Sequence, residues 1–303
     1  ACKMRSYVLN KNSNAYDGKS RAEKIFEWDY ISCCPPIVSN TGVSADGVMA
    51  EGDKYAMLFP GANGQLYPAA CCNIGVAAAT TNWPTVVGTV PSVDTSGTAA
   101  GLSFHMDNGN ADNTGIEMVL GGSQFGSNSN KFIAGTHSGS IDVTWGNEDY
   151  SDYDCMVIGF RKVQEFAPGH GDILAAASGD PIYTDFVAFG VQSADDVQIA
   201  SDLNDSGSSA VYTDSTQATA ASGNHRFRIE LASSGAVTYS HIGAAVMRQG
   251  VLAAPSTTAS FTFDSGDILV PYLFIQGINQ DSDVWLKSLD IARSPSIDGH
   301  SVA

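Results

Sequence analysis

The chain has few charged residues and very few basic ones. Charged residues make up 16% of its 303 residues, and 15 Lys and Arg stand against 32 Asp and Glu, for a formal net charge of −17. Nucleic-acid binding requires clustered cations that replace phosphate counterions, and an anionic membrane attracts the same kind of cluster. The composition therefore argues against a nucleic-acid partner and against docking on a membrane.

Amphipathic helical periodicity is also scarce, and strand patterns take its place. From Arg226 to Leu231 charged and apolar residues alternate, Ser234-Gly235 gives a turn, and Val237 begins a return strand. This is the pattern of a hairpin with one face in a core. The same signals predict strands at 101–105, 115–120, 131–134, 140–145, 154–163, 184–191, 197–200, 226–231, 236–241, 260–263, 268–276 and 284–291. Such a series predicts an all-β protein, an antiparallel two-sheet jelly-roll sandwich.

The first third of the chain is less regular. Residues 1–36 are predicted to form an arm with a short helix, because Ser20-x-x-Glu23 fits a capping box and Pro35-Pro36 ends the pattern. The arm either straps its own domain or anchors the chain to a neighbour. Residues 37–94, with strands expected at 55–59 and 85–90, form either a small β region or the first strands of the sandwich. The Ser/Thr/Gly-rich stretch 91–101 is a predicted linker, and 294–303 is a predicted C-terminal tail.

Catalytic motifs are missing. Glycosidases of sandwich folds place two carboxylates on one strand face, yet the chain has only seven Glu, and the Glu-x-Asp at Glu27-Trp28-Asp29 has no second Glu at the required spacing. Gly-x-Ser-x-Gly is absent, and the six histidines show no metal-ligand spacing. The sequence predicts a non-enzymatic protein with no catalytic residues.

One acidic loop is the best candidate for a ligand site. Glu148, Asp149, Asp152 and Asp154 precede an apolar strand, and oxygen-rich loops of this kind hold Ca²⁺. A solvated loop without an ion is the alternative, and no other cofactor is expected. A second stretch, 202–207, resembles the start of a calcium loop but has Thr213 where a bidentate Glu belongs. The aromatic side chains Tyr150, Tyr153 and Trp285 either stack on a sugar ring or belong to the core or its rim.

The cysteines include two adjacent pairs, Cys33-Cys34 and Cys71-Cys72. Adjacent cysteines do not close a relaxed disulfide with each other, and the C-x-x-C spacing of a zinc knuckle is missing. Buried reduced thiols are the first expectation, with a disulfide between the pairs or a four-thiolate metal site as alternatives.

The closing strands also resemble a known family. The order HRFRIELASSGAVTY, then TASFTFDSGDILVPYLF, then VWLKSLD, together with DCMVIGFRK and DFVAFG upstream, is similar to concanavalin-A-like (laminin-G-like) jelly rolls of tailed-bacteriophage structural proteins. The resemblance covers roughly residues 95–293. It implies a jelly-roll fold and a virion context, and it names no reaction.

Two function classes follow from these features. The first is a non-enzymatic virion structural protein, a capsid decoration or fibre component, that contacts other virion proteins and copies of itself as a homo-oligomer. The alternative is a lectin-like adhesin that binds a host surface glycan, with or without Ca²⁺; a glycan-degrading enzyme with an unfamiliar site is a third, weaker hypothesis. No signal-peptide pattern is present near residue 1, so the expected localisation is the virion, assembled in the host cytoplasm.

Overall fold

The computed structural model describes residues 23–33, 36–39, 54–74, 85–87, 101–106, 114–121, 131–147, 153–168, 173–174, 183–192, 196–204, 210–218, 223–243, 250–277 and 282–294. These residues form strands and connecting turns, and no helix occurs among them, so none of them belongs to a helix that could span a membrane. The strands are β1 (Glu23–Asp29), β2 (Ile37–Ser39), β3 (Lys54–Pro60), β4 (Leu66–Ile74), β5 (Thr85–Val87), β6 (Leu102–Met106), β7 (Thr114–Leu120), β8 (Phe132–Ile133), β9 (Ser138–Asn147), β10 (Tyr153–Lys162), β11 (Phe186–Gln192), β12 (Asp196–Asp202), β13 (Val211–Ala218), β14 (Gly223–Leu231), β15 (Ala236–Gly243), β16 (Phe261–Thr262), β17 (Ile268–Gly277) and β18 (Ser282–Ser294).

Two antiparallel sheets contain all of these strands. The eight-stranded sheet has the order β16-β15-β14-β9-β18-β6-β5, with β1 also paired to β18. The ten-stranded sheet has the order β13-β12-β11-β10-β17-β7-β4-β3-β2, with β8 paired to β17. Sequential hairpin pairs such as β14 and β15 alternate with pairs from distant parts of the chain, such as β9 with β18 and β10 with β17, as expected for a jelly roll. The predicted antiparallel two-sheet sandwich is confirmed.

The main core lies between the inner faces of the two sheets. Alternate residues of each strand point into it, for example Phe227, Ile229 and Leu231 from β14 and Ile158 and Phe160 from β10, all at most 2% exposed. Edge-to-face and stacked aromatic pairs fill its wider parts, such as Trp145 against Phe227 with ring centroids 4.8 Å apart. The period-two pattern of the sequence therefore corresponds to burial of one strand face.

Part of the ten-stranded sheet is buried on its outer face as well. Residues 163–167, 173–174 and 183 cover this face, so Tyr272 and Phe274 of β17 are buried opposite the main core. Burial on both faces explains why the sequence from 268 to 275 is almost continuously apolar rather than alternating.

A buried polar group fixes this covering segment. Arg161 Nε donates to Glu117 Oε1 at 2.7 Å, and Tyr183 Oη donates to Glu117 Oε2 at 2.5 Å. The Arg161 guanidinium also donates to the carbonyls of Lys162 and Gln164 and lies 4.3 Å from the Tyr183 ring. Glu117 and Arg161 are each fully buried, and each charge is paired with the other. The pairing offsets the cost of removing both charges from water. The group links β7, β10 and the segment that covers them.

The helix predicted near the N-terminus is wrong. Residues 23–29 form β1, which pairs with β18 and places Phe26 and Trp28 in the main core. The spacing of the apolar residues around Ile25 fits either one helical turn or a short strand. The segment forms a strand because it pairs with β18. Strands β2, β3 and β4 join the ten-stranded sheet through β7, so this segment extends the sandwich itself. The predicted linker before Gly101 lies outside the described residues.

Four cysteines lie in the described part of the chain. Cys33, Cys71, Cys72 and Cys155 are all buried, and none of the four forms a disulfide. Burial raises the pKa of the Cys71 thiol well above its ordinary value, and the neighbouring Cys72 raises it further. These thiols act as small apolar core residues.

Candidate functional site

A groove opens on the outer face of the eight-stranded sheet. It crosses β14, β15, β9 and β18 beside the turn that joins β14 to β15, and its volume is about 380 Å³. Most of its lining side chains are short or carry a hydroxyl: Ser138, Gly139, Ser140, Arg228, Glu230, Leu231, Ala232, Ala236, Thr238, Ala292 and Ser294.

Strand register produces this surface. Glu230 of β14 lies directly between Ser140 of β9 and Thr238 of β15, and Ser140 is in turn opposite Ala292 of β18. Side chains at paired positions point to the same side of a sheet, so the four form one row across four strands. The Glu230 carboxylate therefore lies between two hydroxyl-bearing residues, and the Ala292 methyl group ends the row beyond Ser140.

The charged groups of the groove are paired with each other. Arg228 Nη2 lies 2.7 Å from Glu230 Oε1, and the two side chains are 35% and 52% exposed. In the next rows of the same face, Arg226 donates through Nε and Nη2 to both oxygens of Asp142, at 2.7 and 2.6 Å. This second pair is the more buried of the two. The groove thus contains a partly exposed Arg228–Glu230 ion pair with no net charge. The more buried Arg226–Asp142 ion pair lies beside it.

The donor and acceptor set of the groove fits a polyhydroxylated ligand. A guanidinium only donates, a carboxylate only accepts, and each Ser or Thr hydroxyl does both. Glu230 is the single carboxylate among the lining residues. Hydrolysis of a glycosidic bond uses two carboxyl groups on opposite sides of the scissile bond, and the described lining residues of the groove supply one.

Most of the predicted calcium loop lies outside the described residues. Glu148, Asp149 and Asp152 lie outside the described residues, and of Asp154 only the backbone, in β10, is described. Among the residues that the structure describes, no group of three or more His, Cys, Asp or Glu side chains is arranged to hold a metal ion. The Ca²⁺ site stays a prediction.

The second calcium-like stretch begins in a network of protein hydrogen bonds. Asn204 donates its backbone N–H to Asp185 Oδ1 and its side-chain amide to Asp264 Oδ2, each at 2.9 Å. Lys162 Nζ bridges Asp185 and Asp267, at 3.2 and 2.8 Å. These contacts tie the end of β12 to the turn before β17. Residues 205–207, which complete the stretch, lie outside the described part.

Of the three aromatic residues considered for sugar stacking, only Trp285 has a side chain that the structure describes. Trp285 lies in β18 and is 8% exposed, so of its two alternatives the core or rim position holds. Tyr150 lies outside the described residues, and Tyr153 is described only as the first residue of β10.

Two histidines that are distant in sequence meet in the structure. His225 of β14 and His241 of β15 have their Nδ1 and Nε2 atoms 3.0 Å apart, and their rings are nearly parallel. Burial lowers the pKa of His225 to about 3, with a further contribution from His241, and burial lowers the pKa of His241 to about 4. Sequence spacing did not indicate this pair; the hairpin register, which places His241 opposite Phe227 and next to His225, creates it.

No family model matches the chain, and no curated protein does. Solved structures with a similar fold include arcelin-5, a lectin-like defence protein from Phaseolus vulgaris, at 9% identity over 90% of this chain and 99% of that chain, with a TM-score of 0.44. A Bauhinia forficata lectin in complex with GalNAc matches at 12% identity over 74% and 93%, with a TM-score of 0.44. A legume lectin-like domain from Entamoeba histolytica matches at 9% identity over 60% and 80%, with a TM-score of 0.38.

These similarities concern the fold alone and do not identify a ligand for this chain. The structures have lectin and lectin-like folds of the concanavalin-A-like type, as the resemblance noted from the sequence implied. Nothing in the comparisons links the chain to bacteriophage virion proteins, so that part of the expectation stays a prediction.

Proposed function

We propose that this chain is a non-catalytic, lectin-like carbohydrate-binding protein and that the groove over Arg228 and Glu230 is its saccharide site. The observation that carries the proposal is the row of Ser140, Glu230 and Thr238 beside the half-buried guanidinium of Arg228. A saccharide presents several neighbouring hydroxyl groups, each both a donor and an acceptor, and this row offers both kinds of partner.

The size of the groove suits a short saccharide. Small-molecule sites have volumes of about 300–1,000 Å³, and the groove, at about 380 Å³, is at the lower end of that range. Its open shape and the absence of an aromatic ring from its lining predict modest affinity, because little apolar surface is removed from water on binding. The expected ligand is therefore one or two sugar units of a larger glycan.

The test is a glycan array followed by calorimetric titration of the strongest binder. In Glu230→Gln the side chain keeps its size but loses its charge and half of its acceptor capacity, so the affinity should fall about tenfold or more. Glu165→Gln is the matched control, because Glu165 is exposed and does not line the groove. Equal affinities for Glu230→Gln and Glu165→Gln would contradict the groove as the site, and an array without a binder would contradict the function.

A Ca²⁺ requirement, with Glu148, Asp149, Asp152 and Asp154 as ligands, is a separate part of the proposal. It is supported by the sequence of the loop alone. Titration of the same glycan with and without EDTA tests this requirement. Unchanged affinity after chelation would show that glycan binding does not require Ca²⁺.

A non-enzymatic virion structural protein is the second candidate function. The observation that favours it is the exposed apolar outer face of β2, β3 and β4, where Ile37 and Leu66 are 58% and 51% exposed, since shell and fibre proteins act through subunit contacts. A stable trimer or larger assembly, measured by light scattering, would favour this candidate. A monomer or a weak dimer would favour the carbohydrate-binding function.

A further inference from the structure

Arg228 has two carboxylates within reach on the outer face of the eight-stranded sheet. Strand register places Arg228 directly opposite Asp142 of β9, and Glu230 follows two positions later on the same face of β14. Long side chains at both spacings can meet across the surface of a sheet. Either carboxylate can therefore neutralise the guanidinium, and the choice between them sets the charge that the groove presents to a ligand.

Arg226 settles this choice because it holds Asp142. Arg226 Nε and Nη2 donate to the two oxygens of Asp142 at 2.7 and 2.6 Å, and the two side chains are 13% and 11% exposed. A two-bond contact between a guanidinium and a carboxylate is stronger and more directional than a single hydrogen bond. Both oxygens of Asp142 are thus engaged, and Arg228 pairs with Glu230 instead, with Nη2 and Oε1 2.7 Å apart.

The Arg228–Glu230 pair is the part of this network that a ligand can reach. Both residues line the groove, and their side chains are 35% and 52% exposed. A neutral sugar suits such a pair, because one hydroxyl group accepts a hydrogen bond from the guanidinium while another donates to the carboxylate. Neither charged group has to leave its partner when the sugar binds.

An acidic sugar meets a different surface. A guanidinium ordinarily binds a sugar carboxylate through two parallel hydrogen bonds, but a carboxylate bound to Arg228 would lie beside Glu230. Two like charges about 4 Å apart near a protein surface repel each other enough to weaken binding about tenfold or more. The net charge of −17 adds a repulsion of anions at longer range. Glu230 therefore masks the cation that lines the groove.

We propose that Glu230 determines the specificity of the groove: it neutralises Arg228, so that the groove accepts neutral saccharides and rejects saccharides that carry a uronate group. The inference rests on the proposed function, because it takes the groove as the saccharide site. Arg226 and Asp142 are positioning residues in this scheme. Asp142 stays bound to Arg226, so loss of the Glu230 charge leaves Arg228 available to an anionic ligand.

The test compares wild type, Glu230→Gln and Glu165→Gln on a glycan array with neutral and uronate-bearing glycans, followed by titration with glucuronate. The wild type should bind neutral glycans alone. Glu230→Gln should lose affinity for these and gain affinity for glucuronate by about tenfold or more. The gain should shrink at about 1 M salt, where the Debye length is about 3 Å. Glu165→Gln loses the same charge away from the groove and should show no gain.

A double variant identifies the group that holds the acidic sugar. In Glu230→Gln/Arg228→Gln the gained affinity for glucuronate should disappear, because the unmasked guanidinium is gone. Melting temperatures show whether each variant is folded. A purely structural role of Glu230 would weaken the binding of every glycan and would not produce a gain for one class.

The outcomes separate this inference from the proposed function. The inference would be overturned by a wild type that binds uronate-bearing glycans as tightly as neutral ones, by a Glu230→Gln variant without a gain, or by an equal gain in Glu165→Gln. A gain that survives Arg228→Gln would overturn it as well. A wild type that binds no glycan would contradict the proposed function, and glucuronate binding by Glu230→Gln would still decide whether Glu230 masks Arg228.

Discussion

The His225–His241 pair predicts a steep loss of stability in mild acid. Both side chains are at most 2% exposed and contact each other at 3.0 Å, so both are held neutral in the folded protein. Their pKa values are lowered to about 3 and about 4, whereas an unfolded chain has a histidine pKa of about 6.5. Between these values the unfolded chain binds more protons, so stability is present above pH 6.5 and decreases as the pH falls.

The magnitude follows from proton linkage. Between pH 7 and pH 5 each unfolded histidine takes up nearly one proton while the folded one stays neutral, which costs about 2 kcal/mol each, or about 4 kcal/mol for the pair. The loss is a large fraction of the stability of about 5–15 kcal/mol that is typical of a native protein.

Urea unfolding at pH 7 and pH 5 measures this loss. In the double variant His225→Phe/His241→Phe, both hydrogen-bonding partners are replaced by apolar rings of similar size, so the core should survive and the titration is removed. The wild type should lose about 4 kcal/mol more than the double variant between the two pH values. Equal losses would refute the assignment of buried, neutral histidines.

Three further predictions concern other parts of the fold. Arg161→Met leaves Glu117 buried without its cation and should cost about 3–5 kcal/mol in urea unfolding, whereas Arg161→Met/Glu117→Leu should recover much of that loss. Gly190→Ala should destabilise strongly, because its Cβ would lie 1.9 Å from the Met156 carbonyl oxygen; a melting temperature within about 2 °C of wild type would contradict the close strand approach. If the acidic loop near Asp154 holds Ca²⁺, EDTA should lower the melting temperature, and no change would exclude that contribution to stability.

The strand pattern could be predicted because the period of the apolar residues is local. Alternation in 226–231 predicted β14, and the same alternation predicted that Arg228 and Glu230 face outward together. The turn signal Ser234-Gly235 predicted the turn between β14 and β15, where Gly235 has a φ of +88°. Each of these features depends on residues a few positions apart, so the local sequence is sufficient to predict it.

The groove and the histidine pair depend on strand order, which the local pattern does not contain. Glu230 meets Ser140 because β14 pairs with β9 from far earlier in the chain, and Ala292 joins the row because β9 also pairs with β18. Residues 23–29 form a strand because β18 offers them a partner edge, although their spacing also fits a helical turn. Each strand edge can form hydrogen bonds with several other strands, and the local sequence does not specify which one. Where these side chains meet therefore depends on the tertiary structure, which fixes the strand order and register.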